Sequence, residues 1–173
     1  HSCAVLNDGS VKCWGRNSYG QLGDGTTTDR LSPVAVDLGI GMTAVSIAGG
    51  SLHSCAVLND GSVKCWGSND NGQLGDGTTV DRHTPTDVDF GSATVARVAT
   101  GYDHSCAVLN DGSVKCWGDN YGGQLGDGTT TDRLSPVAVD LGTSMTAASI
   151  DLGYRHSCAV LNDGSVKCWG RNS

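Results

Sequence analysis

The chain is predicted to be all-β, a β-propeller of four-stranded blades with one blade for every 51–52 residues. Three observations predict it. A 15-residue unit, His-Ser-Cys-Ala-Val-Leu-Asn-Asp-Gly-Ser-Val-Lys-Cys-Trp-Gly, recurs from His1, His53, His104 and His156, so the chain steps by 52, 51 and 52 residues. Each period holds short alternating runs broken by Gly-rich turns, and a unit of that length cannot cover both faces of its own sheet. The 26 Gly, with 38% hydrophobic residues and a single Phe, fit short strands and turns around a thin, distributed core. On this reading residues 1–173 form one repeat array, with repeats 1–52, 53–103 and 104–155 and a partial repeat 156–173.

The first element of each unit is a hairpin of Ser2 to Leu6 and Ser10 to Trp14, and its turn can be read in two registers. A two-residue Asp8-Gly9 turn pairs Cys3 with Trp14 and sets Cys13 opposite Ala4, on the other face. A three-residue loop, with Asn7 and Asp8 in a type I turn and Gly9 left-handed, pairs Leu6 with Ser10, Val5 with Val11 and Cys3 with Cys13. The second register makes the Cys pair a non-hydrogen-bonded one with Cα atoms about 4.5 Å apart, near the lower end of disulfide reach. All eight Cys share this Cys-x9-Cys spacing, so cross-strand bonds are expected for Cys3 with Cys13, Cys55 with Cys65, Cys106 with Cys116 and Cys158 with Cys168. The alternative is free Cys acting as small apolar residues. A zinc site would need tighter ligand pairs with partners nearby. Disulfides favour an extracellular or cell-surface location.

Both hairpin faces are apolar: Cys3, Val5, Val11 and Cys13 on one, Ala4, Leu6 and Trp14 on the other. Such a sheet is covered on both sides, with Trp14, Trp66, Trp117 and Trp169 filling the space between blades and their indole N–H groups donating to backbone carbonyls. A Gly/Asp/Thr connection from Gly15 to Ser32 follows, then a short strand Pro33 to Val36 whose Pro suits a strand start or edge. Thr43 to Ala48 reads as a further strand, which completes four strands per blade and precedes the next hairpin.

The formal charge is −7, and the Lys and Arg are scattered singly, which disfavours nucleic acid and anionic membrane surfaces as partners. No apolar run approaches the ~20 residues that span a bilayer. No cofactor or metal is expected. The four His of the repeat could ring a propeller axis, but recurrence within a folding unit reads as structural. Asp24 to Asp29 lacks the ligand spacing of a calcium loop and reads as turn chemistry. Gly20-Gln21-Leu22-Gly23-Asp24-Gly25 lacks the Lys-Ser/Thr of a phosphate loop. A Ser precedes the first Cys of every hairpin, yet no base is expected against it, so no catalytic constellation is read and the chain is taken as a non-enzyme.

The run Trp-Gly, Asn, Gly-Gln-Leu-Gly-Asp-Gly-Thr-Thr at Trp14 to Thr27, Trp66 to Thr79 and Trp117 to Thr130, with the His-Ser-Cys-Ala-Val-Leu entry, resembles the regulator of chromosome condensation repeat. The resemblance implies a seven-bladed propeller, roughly twice the present length, of which this chain supplies about 3.3 repeats. It also implies that the first blade lacks its inner strand before His1 and the last its outer strand after Ser173. The chain is then expected to be an excerpt of a longer repetitive protein, a subunit completed by other copies, or an open array. Relatives of this family include a chromatin-bound exchange factor, a plant photoreceptor, ubiquitin-ligase modules and a secreted bacterial inhibitor. Paired Cys and acidic charge resemble the bacterial extracellular members most.

A repeated scaffold makes its specific surface where its copies differ. The loop after Trp-Gly reads Arg16-Asn17-Ser18-Tyr19, Ser68-Asn69-Asp70-Asn71, and Asp119-Asn120-Tyr121-Gly122, the last read with one inserted residue; the positions before His read Ser51-Leu52, Tyr102-Asp103 and Tyr154-Arg155. The candidate partner-binding residues are therefore Arg16, Tyr19, Asp70, Asn71, Tyr102, Asp103, Asp119, Tyr121, Tyr154 and Arg155. The expected function is a secreted or surface scaffold recognising a protein or glycan; the alternative is a structural protein whose repeats stack with other copies into a fibre, sheath or oligomer.

Overall fold

The computed structural model describes residues 1–172; Ser173, the last residue of the partial repeat, lies outside them. Fourteen strands and no helix are found among the described residues, arranged as four antiparallel sheets in chain order. The first sheet is β1 (Ser2–Val5), β2 (Val11–Gly15) and β3 (Arg30–Val36). The second is β4 (Ala44–Gly49), β5 (His53–Leu58), β6 (Val63–Gly67) and β7 (Arg82–Val88), and the third is β8 (Val95–Thr100), β9 (His104–Leu109), β10 (Val114–Gly118) and β11 (Arg133–Ala138). The fourth is β12 (Ala147–Leu152), β13 (His156–Leu161) and β14 (Val166–Gly170). These are propeller blades 1 to 4. β4 packs against β8 and β8 against β12, so the strand preceding each hairpin is the inner one.

The hairpins take the three-residue loop. Leu6 N donates to Ser10 O at 2.8 Å and Gly9 N to Leu6 O at 2.9 Å, with Gly9 at φ 78°, the left-handed region that closes a type I turn into a bulge. Cys3 then faces Cys13, and likewise Cys55 Cys65, Cys106 Cys116, and Cys158 Cys168. All four pairs are disulfides with Cα atoms 4.0–4.1 Å apart, as parity requires. Replacing Cys55 and Cys65 together by Ser is expected to cost about 2–3 kcal/mol, the chain-entropy value for so short a loop. Chemical denaturation reads this directly, and an unchanged midpoint would refute it.

Two details differ from expectation. The outer strand starts at Arg30, three residues before Pro33, because Gly15 pairs with Arg30 and a bulge then resets the register to Cys13 with Val34. As β3 is an edge strand, the missing N–H of Pro33 costs no ladder bond. The expected insertion at Tyr121 is absent: Trp14, Trp66 and Trp117 each stand seven residues before Gln21, Gln73 and Gln124. The shorter 51-residue step arises instead between outer and inner strands, where 89–94 replaces 37–43.

Apolar side chains interdigitate between blades. Val11 and Cys13 of blade 1 pack on Ala56, Leu58 and Trp66 of blade 2; Cys55, Val57, Val63 and Cys65 of blade 2 pack on Ala107, Leu109 and Trp117 of blade 3. The two hairpin faces read from the alternation are thus the two sides of every junction.

Candidate partner-binding face

Each junction is locked by one relay. Trp66 Nε1 donates to Gln21 O at 2.9 Å, and Ser54 Oγ donates to the same oxygen at 2.9 Å. Trp117 and Ser105 do so to Gln73 O, and Trp169 and Ser157 to Gln124 O. The expected carbonyl partners of the indoles are therefore specific ones, each on the preceding blade.

The sequence placed no base against these Ser, but the structure does. His1 Nε2 lies 2.9 Å from Ser54 Oγ, His53 Nε2 2.9 Å from Ser105 Oγ, and His104 Nε2 3.1 Å from Ser157 Oγ, each His reaching from the preceding blade, which no single repeat reveals. Since the one hydroxyl proton of Ser105 goes to Gln73 O, His53 Nε2 must carry a proton, and its Nδ1 is a bare lone pair buried without a partner. Burial, then the neighbouring His104, lowers the His53 pKa to about 3; burial lowers that of His104 to about 4, with Asp119 opposing and His156 adding. The three Ser, His53 and His104 are shut away from solvent and His1 is half-buried, so the pair is a latch rather than a nucleophile and its base.

The Gly/Asp/Thr connection is tied by one buried Asn. Asn69 Nδ2 donates to Asp76 Oδ1, Thr78 O and Val80 O, its Oδ1 accepts Leu74 N at 2.9 Å, and its own N–H reaches Asp81 Oδ1 at 2.8 Å. Asn17 and Asn120 repeat the pattern. Arg30, Arg82 and Arg133 close it on Asp24, Asp76 and Asp127. Burial raises the Asp127 pKa, but bonds from Thr129, Arg133 and Asn120 outweigh it and hold the carboxyl at about 2.

With turn and connection consumed by folding, the residues that differ between copies lie at the open end of each hairpin, where the loop before His meets the loop after Trp-Gly. Seven of the ten predicted residues converge there. Tyr102 and Tyr154 stack with ring centroids 4.2 Å apart at 37°. The Arg155 guanidinium carbon lies 5.6 Å from the Tyr154 ring centroid and 5.9 Å from that of Tyr121, within cation–π range. Arg155 Nε also stands 3.6 Å from Asp119 Oδ2, which accepts Gln124 Nε2 at 2.8 Å. Asp103 Oδ1 accepts Gln73 Nε2 at 3.4 Å. Burial first, then Asp119 and Asp70, raise the Asp103 pKa against the pull of Arg155. The three tyrosines are exposed.

Arg16, Tyr19 and Asn71 do not bond to this cluster. Arg16 is exposed on blade 1 and donates from Nε to Ser18 Oγ at 3.1 Å, while the backbone N–H groups of Tyr19 and Asn71 donate to Gln21 and Gln73 Oε1. Sequence reasoning missed Gln21, Gln73 and Gln124, whose backbone oxygens accept bonds from the next blade more than 30 positions away, and Ser68, which accepts the Gln73 amide within its own blade.

Two family profiles, both of the regulator of chromosome condensation (RCC1) repeat, match the chain: one over residues 8–57 and 60–108, the other over 44–73, 95–124 and 147–173. The chain is 36% identical over 173 residues to the ultraviolet-B receptor UVR8 of Arabidopsis thaliana, covering 99% of this chain and 39% of that protein. It is 32% identical to the probable E3 ubiquitin-protein ligase HERC4 of Homo sapiens, covering 98% of this chain and 16% of that one. Among solved structures, human WBSCR16 superposes with a TM-score of 0.87 at 24% identity, covering 97% of this chain and 44% of that chain. Yeast RCC1 (Prp20), solved bound to Kap60, superposes at 0.82 and 25% identity, covering 98% and 41%. The chain spans well under half the length of each of these proteins.

Proposed function

The chain belongs to the regulator of chromosome condensation repeat family, and on that premise we propose that it is a non-catalytic scaffold binding a partner protein through the open-end face of blades 2 to 4. The observation that carries this reading is the convergence of copy-variable residues. Tyr102, Tyr121, Tyr154 and Arg155 share one exposed surface, whereas the copies agree at the latch and the buried Asn. Tyr and Arg give large contact area at low entropic cost, and loops on a rigid array hold them in place. A protein is favoured over a glycan because the fold neighbour yeast RCC1 is solved with another protein bound. Four disulfides support an oxidising location, outside the cell or on its surface.

A second reading is assembly with other copies through head-to-tail joints of the kind that lock its own blades together. One experiment separates the two. A photo-reactive phenylalanine analogue replaces Tyr121 in one sample and Asn59, at a hairpin turn on the opposite end, in another, and both are irradiated in extracts of the source cells. Cross-links to a discrete second protein from position 121 and not from 59 are expected. Cross-linking equal from both positions would overturn the face, and cross-linking only to further copies of the chain would replace the first reading by the second.

A further inference from the structure

The three junctions can be compared atom by atom. In each, a Gln side-chain oxygen accepts a backbone N–H, from Tyr19, Asn71 or Gly122 at 2.8–3.0 Å, which fixes where the amide nitrogen points. Between blades 3 and 4, Gln124 Nε2 donates to Asp119 Oδ2 at 2.8 Å; between blades 2 and 3, Gln73 Nε2 donates to Ser68 Oγ at 3.3 Å and Asp103 Oδ1 at 3.4 Å. Acceptors thus come from two positions, the residue after Trp-Gly and the residue before the next His. Between blades 1 and 2 those positions hold Arg16 and Leu52, neither of which has a side-chain acceptor. Gln21 is 0% exposed, and its Nε2 has no partner. Leu52 is beside it: a Cβ on Gly67 would lie 2.5 Å from Leu52 O and 3.2 Å from Gln21 Cβ.

We infer that the junction of blades 1 and 2 is a binding site for a carboxylate, held by the Gln21 amide and the Arg16 guanidinium. The intact arrangement stands two blades on, where the Asp119 carboxylate takes a bond from the Gln124 amide and faces the Arg155 guanidinium. At the first junction the amide is present and no carboxylate is; Arg16 stands in the position of Asp119 and Leu52 in that of Arg155, so a guanidinium is supplied from the other of the two positions. Arg16 forms no ion pair with a carboxylate among the described residues, so its charge is available. Entry requires the Leu52 side chain to rotate outward, which a half-exposed aliphatic chain at a loop end does readily. The carboxylate comes from an Asp or Glu of a partner protein or from a free acid; only the first source rests on the function proposed above.

The test is a titration of the whole 15N-labelled chain with sodium acetate at constant ionic strength, read on the side-chain amide resonances of its three Gln. Gln21 is expected to shift and saturate while Gln73 and Gln124, already bonded, stay still as internal controls. Leu52→Asp supplies the missing acceptor as Asp103 does, so the acetate response should vanish with the Gln73 and Gln124 signals unmoved; Arg16→Gln should weaken it several-fold. Acetyl-glutamyl amide then reports whether a peptide-borne carboxylate binds as acetate does. A Gln21 resonance that stays still, moves in step with the other two, or still responds in Leu52→Asp overturns the site whatever becomes of the partner-binding reading. Equal response to chloride overturns its preference for a carboxylate.

Discussion

Trp117→Ala is expected to lower the free energy of unfolding by about 4 kcal/mol, the range for deleting a fully buried indole. Trp117 packs among Val57, Val63, Leu74, Val88 and Phe90, with the Phe90 ring edge-on at 5.6 Å and 76°. The site is shaped for it. Gly75 sits at φ 73°, and a Cβ there would come within 2.8 Å of Trp117 Nε1, so no side chain can replace the lost volume from that side. The oxygen of Gln73 would keep the Ser105 bond, so most of the penalty is the cavity rather than an orphaned acceptor. Val80 provides the control, since it is an aliphatic side chain 57% exposed in a loop of blade 2. Val80→Ala should cost well under half as much. Urea unfolding of both variants at one pH decides the matter, and equal losses would mean that the blade junction is not where the stability resides.

Acid is expected to dissolve the junctions before it discharges the carboxylates. The His53 and His104 pKa values lie at about 3 and about 4 in the fold against 6.5 for a free ring. Between those limits the unfolded chain binds more protons than the folded one, so the contribution is complete above pH 6.5 and declines as pH falls towards 3–4. Each ring gives a limiting slope of about 1.4 kcal/mol per pH unit, and two rings between pH 6 and 4.5 amount to several kcal/mol. The depressed carboxyls Asp24, Asp76 and Asp127 add their loss mainly below their ordinary value of 3.8, while Asp103, whose pKa is raised, binds its proton in the fold first and partly offsets the loss in the upper window. His104→Gln keeps an amide donor for Ser157 and removes the titration; it should reduce the slope by about half. A stability flat from pH 6.5 to 4.5, or a slope untouched by the variant, would contradict neutral buried rings.

The hairpins were legible because two periodicities coincide there. Alternation assigns faces, and the Asn-Asp-Gly loop fixes parity, so Cys3 and Cys13 could be paired on paper and the junction faces named. Pro33 reads in the sequence as a strand boundary, whereas an edge strand tolerates it in mid-run. The latch was illegible for a different reason: His53 needs Ser105, and no periodicity within one repeat says that the neighbour's residue stands opposite. Asn69 hid in a Gly-rich loop, where its type suggests a turn and not a hub. Among the candidate face residues, variation between copies pointed to Tyr102, Tyr154 and Arg155 without saying that they meet. It could not flag Gln21 at all, since Gln21 is identical in every copy and only its surroundings change.

The latch also has a direction. At each of the three junctions the Trp and Ser donate backward to the Gln of the preceding blade, and the His of that blade reaches forward to the Ser of the next, so the latches are interchangeable head-to-tail joints. Excising residues 53–103, or duplicating them, would bring His1 or a second His53 against a Ser in the same setting as now. Genetic recombination between such near-identical units can therefore transpose, drop or multiply blades without relearning how to fold, while it reshuffles the row of tyrosines, arginines and aspartates displayed at the open end. The joint is the invariant grammar, and the exposed loops are the text that such shuffling rewrites.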